Sequence, residues 1–317
     1  MLEEASRRLV AQLQQGGLSL ATQPIATLRA AMDALAGADS PGPSIARVAD
    51  FSATLAHGPI SVRLYHPLPG ERLPVLVYYH GGGWISWSVQ AFDPVCRRLS
   101  DAGKFAVVSV EYRLAPEHKY PAALDDAYAV LGWIRAQADV LEIDAARVGV
   151  AGDSAGGNLA AVVTQLTRDR HDPPLQFQAL IYPVTDATMS LPSYAEHASD
   201  ATLTATVMQH FIRSYLPENI DRRHPNISPL FASDVAGLPP ALVIVAEYDP
   251  LRDDGFAYAH RLRQAGIPVQ VEHFAHSMHG FVSLGGLIGP ESGLRAVRLV
   301  ADAFRRQVAD HQLSNGR

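Results

Sequence analysis

Ser154 lies in Gly152-Asp153-Ser154-Ala155-Gly156, between an apolar run ending at 151–152 and a helix-forming run beginning near 155. A serine in Gly-x-Ser-x-Gly on a strand-turn-helix corner has its hydroxyl raised above a sheet edge. Glycines two before and two after suit the crowding of such a turn. The helix that starts there favours negative charge beside the serine. A second stretch, His80-Gly81-Gly82-Gly83-Trp84, follows the apolar run 74–80. Its glycines would let backbone N–H groups approach a reacting carbonyl and stabilise the oxyanion of acyl transfer. Gly82 and Gly83 are the expected donors, with Ala155 as the third. No Gly-Lys-Ser/Thr follows, so a phosphate loop is a poor reading, and a dinucleotide Gly-x-Gly-x-x-Gly is missing after the first strands.

A serine hydroxyl needs a base, and the base needs a partner that holds its tautomer. In this arrangement the acid follows the serine in the chain and the histidine comes last. Asp249 stands just past the apolar run 241–246, with Glu247, Asp253 and Asp254 as rivals. The base is sought in EHFAHSMHGF, which holds His273, His276 and His279 at a spacing of three. A three-histidine metal site is the competing reading. Residues three apart on a strand do not share a face, so the three rings would not converge.

Positioning these residues requires a sheet. Short apolar runs at 74–80, 105–112, 147–152, 177–183, 241–246 and 269–274 alternate with helical stretches, and a further strand is read in PISVRLYHP. Such alternation predicts an α/β fold with a mostly parallel central sheet and helices on both faces. Residues 186–235 interrupt the rhythm without a sheet strand. Before residue 45, Leu9, Val10, Leu13, Leu18, Ile25, Leu28, Met32 and Leu35 are spaced as in amphipathic helices. The expected division is cap helices at 1–45, core at 46–185, a cap insertion at 186–235 and core again at 236–317.

Composition narrows the partners. With 48% hydrophobic and 18% charged residues, the chain can bury a substantial core. A net charge of -6 without a basic cluster speaks against nucleic acid. One cysteine, Cys96, permits no intrachain disulfide and suits a reducing compartment. MLEEASRRLV has no apolar region of a secretory leader, and no apolar run reaches the ~18 residues of a membrane span, so a cytoplasmic location is expected.

The blocks HGGGW (80–84), YRLAPEHKYPAALDD (112–126), GDSAGG (152–157), EYDPLRDDG (247–255) and HGF (279–281) stand in this order along nearly the whole chain. With them the chain resembles the bacterial hormone-sensitive-lipase-like (family IV) carboxylesterases of the α/β-hydrolase fold. The resemblance implies Ser154 as nucleophile, Asp249 as acid and His279 as base, with Gly82, Gly83 and Ala155 as the oxyanion hole. It implies hydrolysis of short- to medium-chain acyl esters, no cofactor, no metal, and a possible homodimer through the last sheet strand. An amidase or lactonase with the same triad, or a non-catalytic ligand receptor on the same fold, are the alternatives. The chain departs from the family pattern at Trp87, where glycine is common, at Phe92, often histidine, and at Ala275-His276, commonly Glu-Gly. A reshaped pocket with Trp87 and His276 at its mouth is the expectation, with Trp84, Met208 and Phe211 as further lining.

Overall fold

The computed structural model describes residues 2–15, 23–36, 40–198 and 203–315. Leu18, one of the apolar positions read as helical, lies outside them, as do residues 38 and 39 of the break after the second helix. Two helices lead the chain, α1 (Glu4–Gln15) and α2 (Ile25–Ala36). The core then runs β1 (Arg47–Leu55), β2 (Gly58–His66), β3 (Leu73–Tyr79), α3 (Asp93–Gly103), β4 (Ala106–Val110), α4 (Ala122–Ala136), α5 (Ala138–Leu141), β5 (Ile143–Asp153), α6 (Ala155–Asp169) and β6 (Phe177–Ile181). Between β6 and β7 come the short α7 (Ser193–Glu196), α8 (Ala205–Tyr215) and a 3-10 turn at Pro229–Phe231. The chain closes with β7 (Ala241–Tyr248), α9 (Arg252–Gln264), β8 (Val269–Met278), α10 (Gly285–Ile288) and α11 (Pro290–Asn315).

The strands form one sheet in the order β1-β2-β4-β3-β5-β6-β7-β8. β1 and β2 are antiparallel, β2 and β4 are antiparallel, and every pair from β4 to β8 is parallel. Parallel strands covered on both faces are near-continuous apolar runs. Accordingly every residue of β4 and of β6 is buried. Helices cover the two faces: α3 packs on α11, and α4 packs on α6. Phe304 of α11 wedges between Phe105 and Phe177, while the Tyr79 hydroxyl donates to the Ala127 carbonyl of α4 at 2.7 Å.

Three strands differ from the sequence reading. β1 was not anticipated, because as an edge strand it buries only Ala53 and carries Asp50, Ser52 and Thr54. β5 begins at Ile143 rather than 147, with a register shift against β3 between Leu73 and Val75. β8 continues to Met278, so His276 lies on the strand and not in the following loop. The interval 186–235 holds no sheet strand among the described residues, as its composition suggested.

Candidate active site

The parallel strands point their C-terminal ends to one edge, and four of those ends bring the site together. β5 ends at Asp153, and Ser154 takes φ 55° and ψ -117° before α6 begins at Ala155. A left-handed backbone at a non-glycine residue costs of order 1–3 kcal/mol and persists only where neighbours over-determine it. Here the Ser154 N–H donates to Ile181 at 2.9 Å, and its carbonyl accepts from Val184 and Asn158. The turn is packed hard against β3. A Cβ at Gly156 would stand 1.9 Å from the Tyr79 carbonyl oxygen, so no larger residue fits there.

β7 delivers Asp249 and β8 delivers His279. His279 Nδ1 lies 2.7 Å from Asp249 Oδ2, and His279 Nε2 lies 3.0 Å from Ser154 Oγ. Asp249 is fully buried, and its other oxygen accepts the Leu251 N–H at 2.8 Å. That leaves Nδ1 as the donor toward the carboxylate and Nε2 as the acceptor facing the hydroxyl. The Tyr182 ring lies 4.7 Å from the imidazole.

The rival acids are engaged elsewhere. Glu247 pairs with His273 at 2.7 Å and with Arg252 at 3.2 Å. Asp253 accepts from the Ser193 N–H, and Asp254 from the N–H groups of Thr185 and Asp186. His273 therefore faces Glu247, whereas His276 is exposed on β8, its carbonyl accepting from Glu3 N–H. The three histidines do not meet at one point. Among the described residues one group has the spacing of metal ligands, Glu196, His197 and Glu247. The Arg252 guanidinium already lies 2.6 Å from Glu196 and 3.2 Å from both His197 Nε2 and Glu247, so this is an ion network centred on a cation.

β3 supplies the glycine loop. Gly82 and Gly83 have φ of 105° and 62°, and their N–H groups donate to no described residue. The Ala155 N–H opens α6 and has no acceptor within the helix. The loop is anchored from beneath: Gly81 N–H and the Tyr78 hydroxyl both donate to Asp153 Oδ1, at 2.9 and 3.0 Å. Burial raises the Asp153 carboxyl to about 7, against the lowering effect of those donors and of His279. His80 is stacked on Tyr112 at 4.3 Å, and burial lowers its imidazole to about 4, so it stays neutral. Asp153 was read only as the variable position of the serine motif. Its neighbour Tyr78, on a strand read as plain core, gave no separate signal.

A cavity of about 370 Å³ opens beside Ser154 and His279, lined also by Gly82, Gly83 and Asp153. Its walls are apolar: Met32 and Leu35 from α2, Trp87 from the loop after β3, Val207 and Phe211 from α8, and Leu284. Of the pocket residues expected from the sequence, Trp87 and Phe211 line it and three do not. Trp84 turns away at φ 61° and stacks on Tyr215 at 4.4 Å. Met208 is core, because positions 207 and 211 share the cavity-facing side of α8 while 208 is rotated beneath it. His276 is carried off by the extension of β8. The contribution of α2 was visible only as an amphipathic pattern in Leu28, Met32 and Leu35.

An eight-stranded, mostly parallel sheet flanked by helices, with these loops at the strand ends, is the α/β-hydrolase fold. Residues 76–283 match the protein family described by that fold. Carboxylesterase NlhH of Mycobacterium tuberculosis is 46% identical over 228 residues, which cover 71% of this chain and 72% of that protein. Esterase LipI of the same organism is 42% identical over 264 residues, covering 80% and 82%. The hyperthermophilic esterase of the archaeon Pyrobaculum calidifontis superposes with a TM-score of 0.91 at 41% identity, over 97% of this chain and 99% of that one. The chain belongs to the hormone-sensitive-lipase-like carboxylesterases of the α/β-hydrolase fold, and it is a carboxylic ester hydrolase.

Proposed function

We propose that the chain hydrolyses short- to medium-chain acyl esters through an acyl-enzyme on Ser154, with His279 as proton carrier and Asp249 as its orienting acid. The observation that carries this reading is a single imidazole with the serine oxygen at 3.0 Å on one side and a buried carboxylate at 2.7 Å on the other. Ser154 Oγ attacks the ester carbonyl carbon as His279 Nε2 takes the hydroxyl proton. Asp249 keeps Nδ1 protonated and favours the imidazolium that forms. The carbonyl oxygen becomes an oxyanion within reach of the N–H groups of Gly82, Gly83 and Ala155. The bond to the alcohol oxygen breaks, and His279 returns its proton to that oxygen. Water, deprotonated by the same ring, then attacks the acyl carbon, and Ser154 leaves with the proton as the carboxylic acid departs.

The cavity supports the substrate class. At about 370 Å³ it lies at the small end of ligand pockets, and its walls carry no ionisable side chain apart from Asp153 and His279. An uncharged ester with apolar arms suits it. We propose a cap drawn from 1–45 and 186–235 over the core at 46–185 and 236–317, a division supported by α2 and α8, whose described residues both line the cavity. The direct test is turnover of p-nitrophenyl butyrate before and after a serine-directed phosphonate. Turnover that the phosphonate abolishes is expected. An absence of turnover would favour a ligand receptor, and turnover that survives the reagent would remove the serine mechanism.

No described helix is long and apolar enough to cross a membrane. Cys96 is buried and unpaired, which suits the cytoplasmic location we propose. We also propose a homodimer through β8, a reading supported by its place at the sheet edge, where one side of its backbone has no neighbouring strand in the sheet.

A further inference from the structure

Trp87 holds a backbone conformation that suits glycine, φ 66°, yet its side chain is nearly buried. An outlier of this kind at a pocket wall points from strain to function. The indole is bound on several sides. Its ring meets Phe92 edge-on at 5.4 Å, and its Nε1–H donates to the Met32 carbonyl of α2 at 2.9 Å. Trp87 also lines the cavity beside Ser154, together with Met32 and Leu35 of α2 and Phe211 of α8. A second tie fixes α2 to the same loop. Arg29 donates to the Ile85 carbonyl at 2.7 Å and to the Ala115 carbonyl at 3.0 Å, and it pairs with Glu117. The loop that leaves Gly82 and Gly83 thus carries α2 at two points, and one of them is itself part of the cavity wall.

We propose that Trp87 is a specificity-determining residue that sets the upper size of the apolar ester arm, its indole closing the cavity and its N–H pinning α2 across the closure. The proposal rests on the ester-hydrolase reading of the same site. An arm that fits short of the indole meets a preformed apolar wall. A longer arm must displace the indole, which breaks its bond to Met32 and loosens α2. Glycine at 87 would adopt the same backbone without strain and leave a gap between α2 and the loop.

The test compares wild type, Trp87→Gly and Trp87→Phe on p-nitrophenyl acetate, butyrate, octanoate and dodecanoate. One added or removed methylene contact changes discrimination by roughly tenfold or more. The kcat/KM ratio of octanoate to acetate is therefore expected to rise about tenfold or more in Trp87→Gly. Trp87→Phe keeps an aromatic wall without the N–H and should give a smaller rise of about threefold. If Trp87→Gly does not fold, Trp87→Phe and inactivation of the wild type by phosphonates of increasing alkyl length carry the test. Wild-type inactivation should then slow sharply once the chain reaches the indole. Ratios within about twofold of wild type in folded variants, or inactivation indifferent to length, would overturn the role of Trp87 while leaving the esterase reading standing. A wild type that turns over none of the esters would remove both.

Discussion

The two sides of the cavity are built by different physics. On the sheet side, Ser154, Asp249, His279 and the glycine loop sit at strand ends and are held by directional bonds: Gly81 to Asp153, Ser154 to Ile181, Asp249 to Leu251 and to His279. Each buried polar group there has a geometry that a small displacement would spoil. On the helical side, α2 and α8 present Met32, Leu35, Val207 and Phe211, which touch the cavity through non-directional apolar contact. Such a wall tolerates changes of shape far better than a hydrogen-bonded network does. The difference suggests a division of labour, in which the hydrogen-bonded strand ends set the reaction and the apolar wall, Trp87 included, selects what reacts.

The sharpest way to break that comparison is on the sheet side. Ser154→Ala or His279→Ala should lower kcat on the order of 10⁶, the loss seen when such a member is removed from another serine hydrolase. Thermal melts should show the fold retained. A mere tenfold loss would mean that these groups are bystanders. Asp249→Asn comes next, with a loss of about 10⁴ from the wrong tautomer of His279; full activity in that variant would return the choice of acid to Glu247 and its neighbours.

Gly83→Ala tests whether the two sides are independent. A Cβ there would lie 2.3 Å from the Phe211 ring, at a φ of 62°. We expect kcat/KM to fall by about 10²-fold, and Gly83→Ala with Phe211→Ala to recover part of the loss. A double-mutant cycle with strictly additive effects would show that the helical wall does not restrain the oxyanion loop.

The last effect concerns stability and leaves the rate aside. Burial lifts Asp153 from an ordinary value of 3.8 to about 7 in the folded chain. Between pH 4 and 7 the folded state therefore holds a proton that the unfolded state has lost, so this group makes stability fall as pH rises through that window. Asp153→Asn removes the term. Its stability relative to wild type should climb with pH by of order 1 kcal/mol per unit across that range and level off above pH 7. A difference independent of pH in denaturant titrations would mean that Asp153 is ionised throughout.

What could be read from the chain follows the same division. The sheet side of the proposed site could be read from the chain because the proposed chemistry demands particular residue types at strand ends: glycines where backbones meet, a serine on a corner, an acid and a histidine after later strands. Strands β3, β4, β6 and β7 announced themselves as apolar runs, whereas β1, half-exposed at the edge, had no such mark. The helical side was much less legible. Whether Trp84 or Trp87 faces the cavity depends on two left-handed residues in one loop, and whether Val207 or Met208 does depends on the rotation of α8. Neither is a property of residue type. His276 was misplaced for a related reason, since β8 extends through a stretch with no alternating apolar pattern to announce it.

The central claim is a covalent ester between the acyl group and Ser154. Rapid acid quench of the enzyme during turnover of p-nitrophenyl acetate, followed by mass spectrometry of the digested protein, tests it most directly. The account predicts one acetyl group on the peptide that contains Ser154, and none in Ser154→Ala. An acetyl group on a different residue, or undiminished turnover in Ser154→Ala, would contradict it.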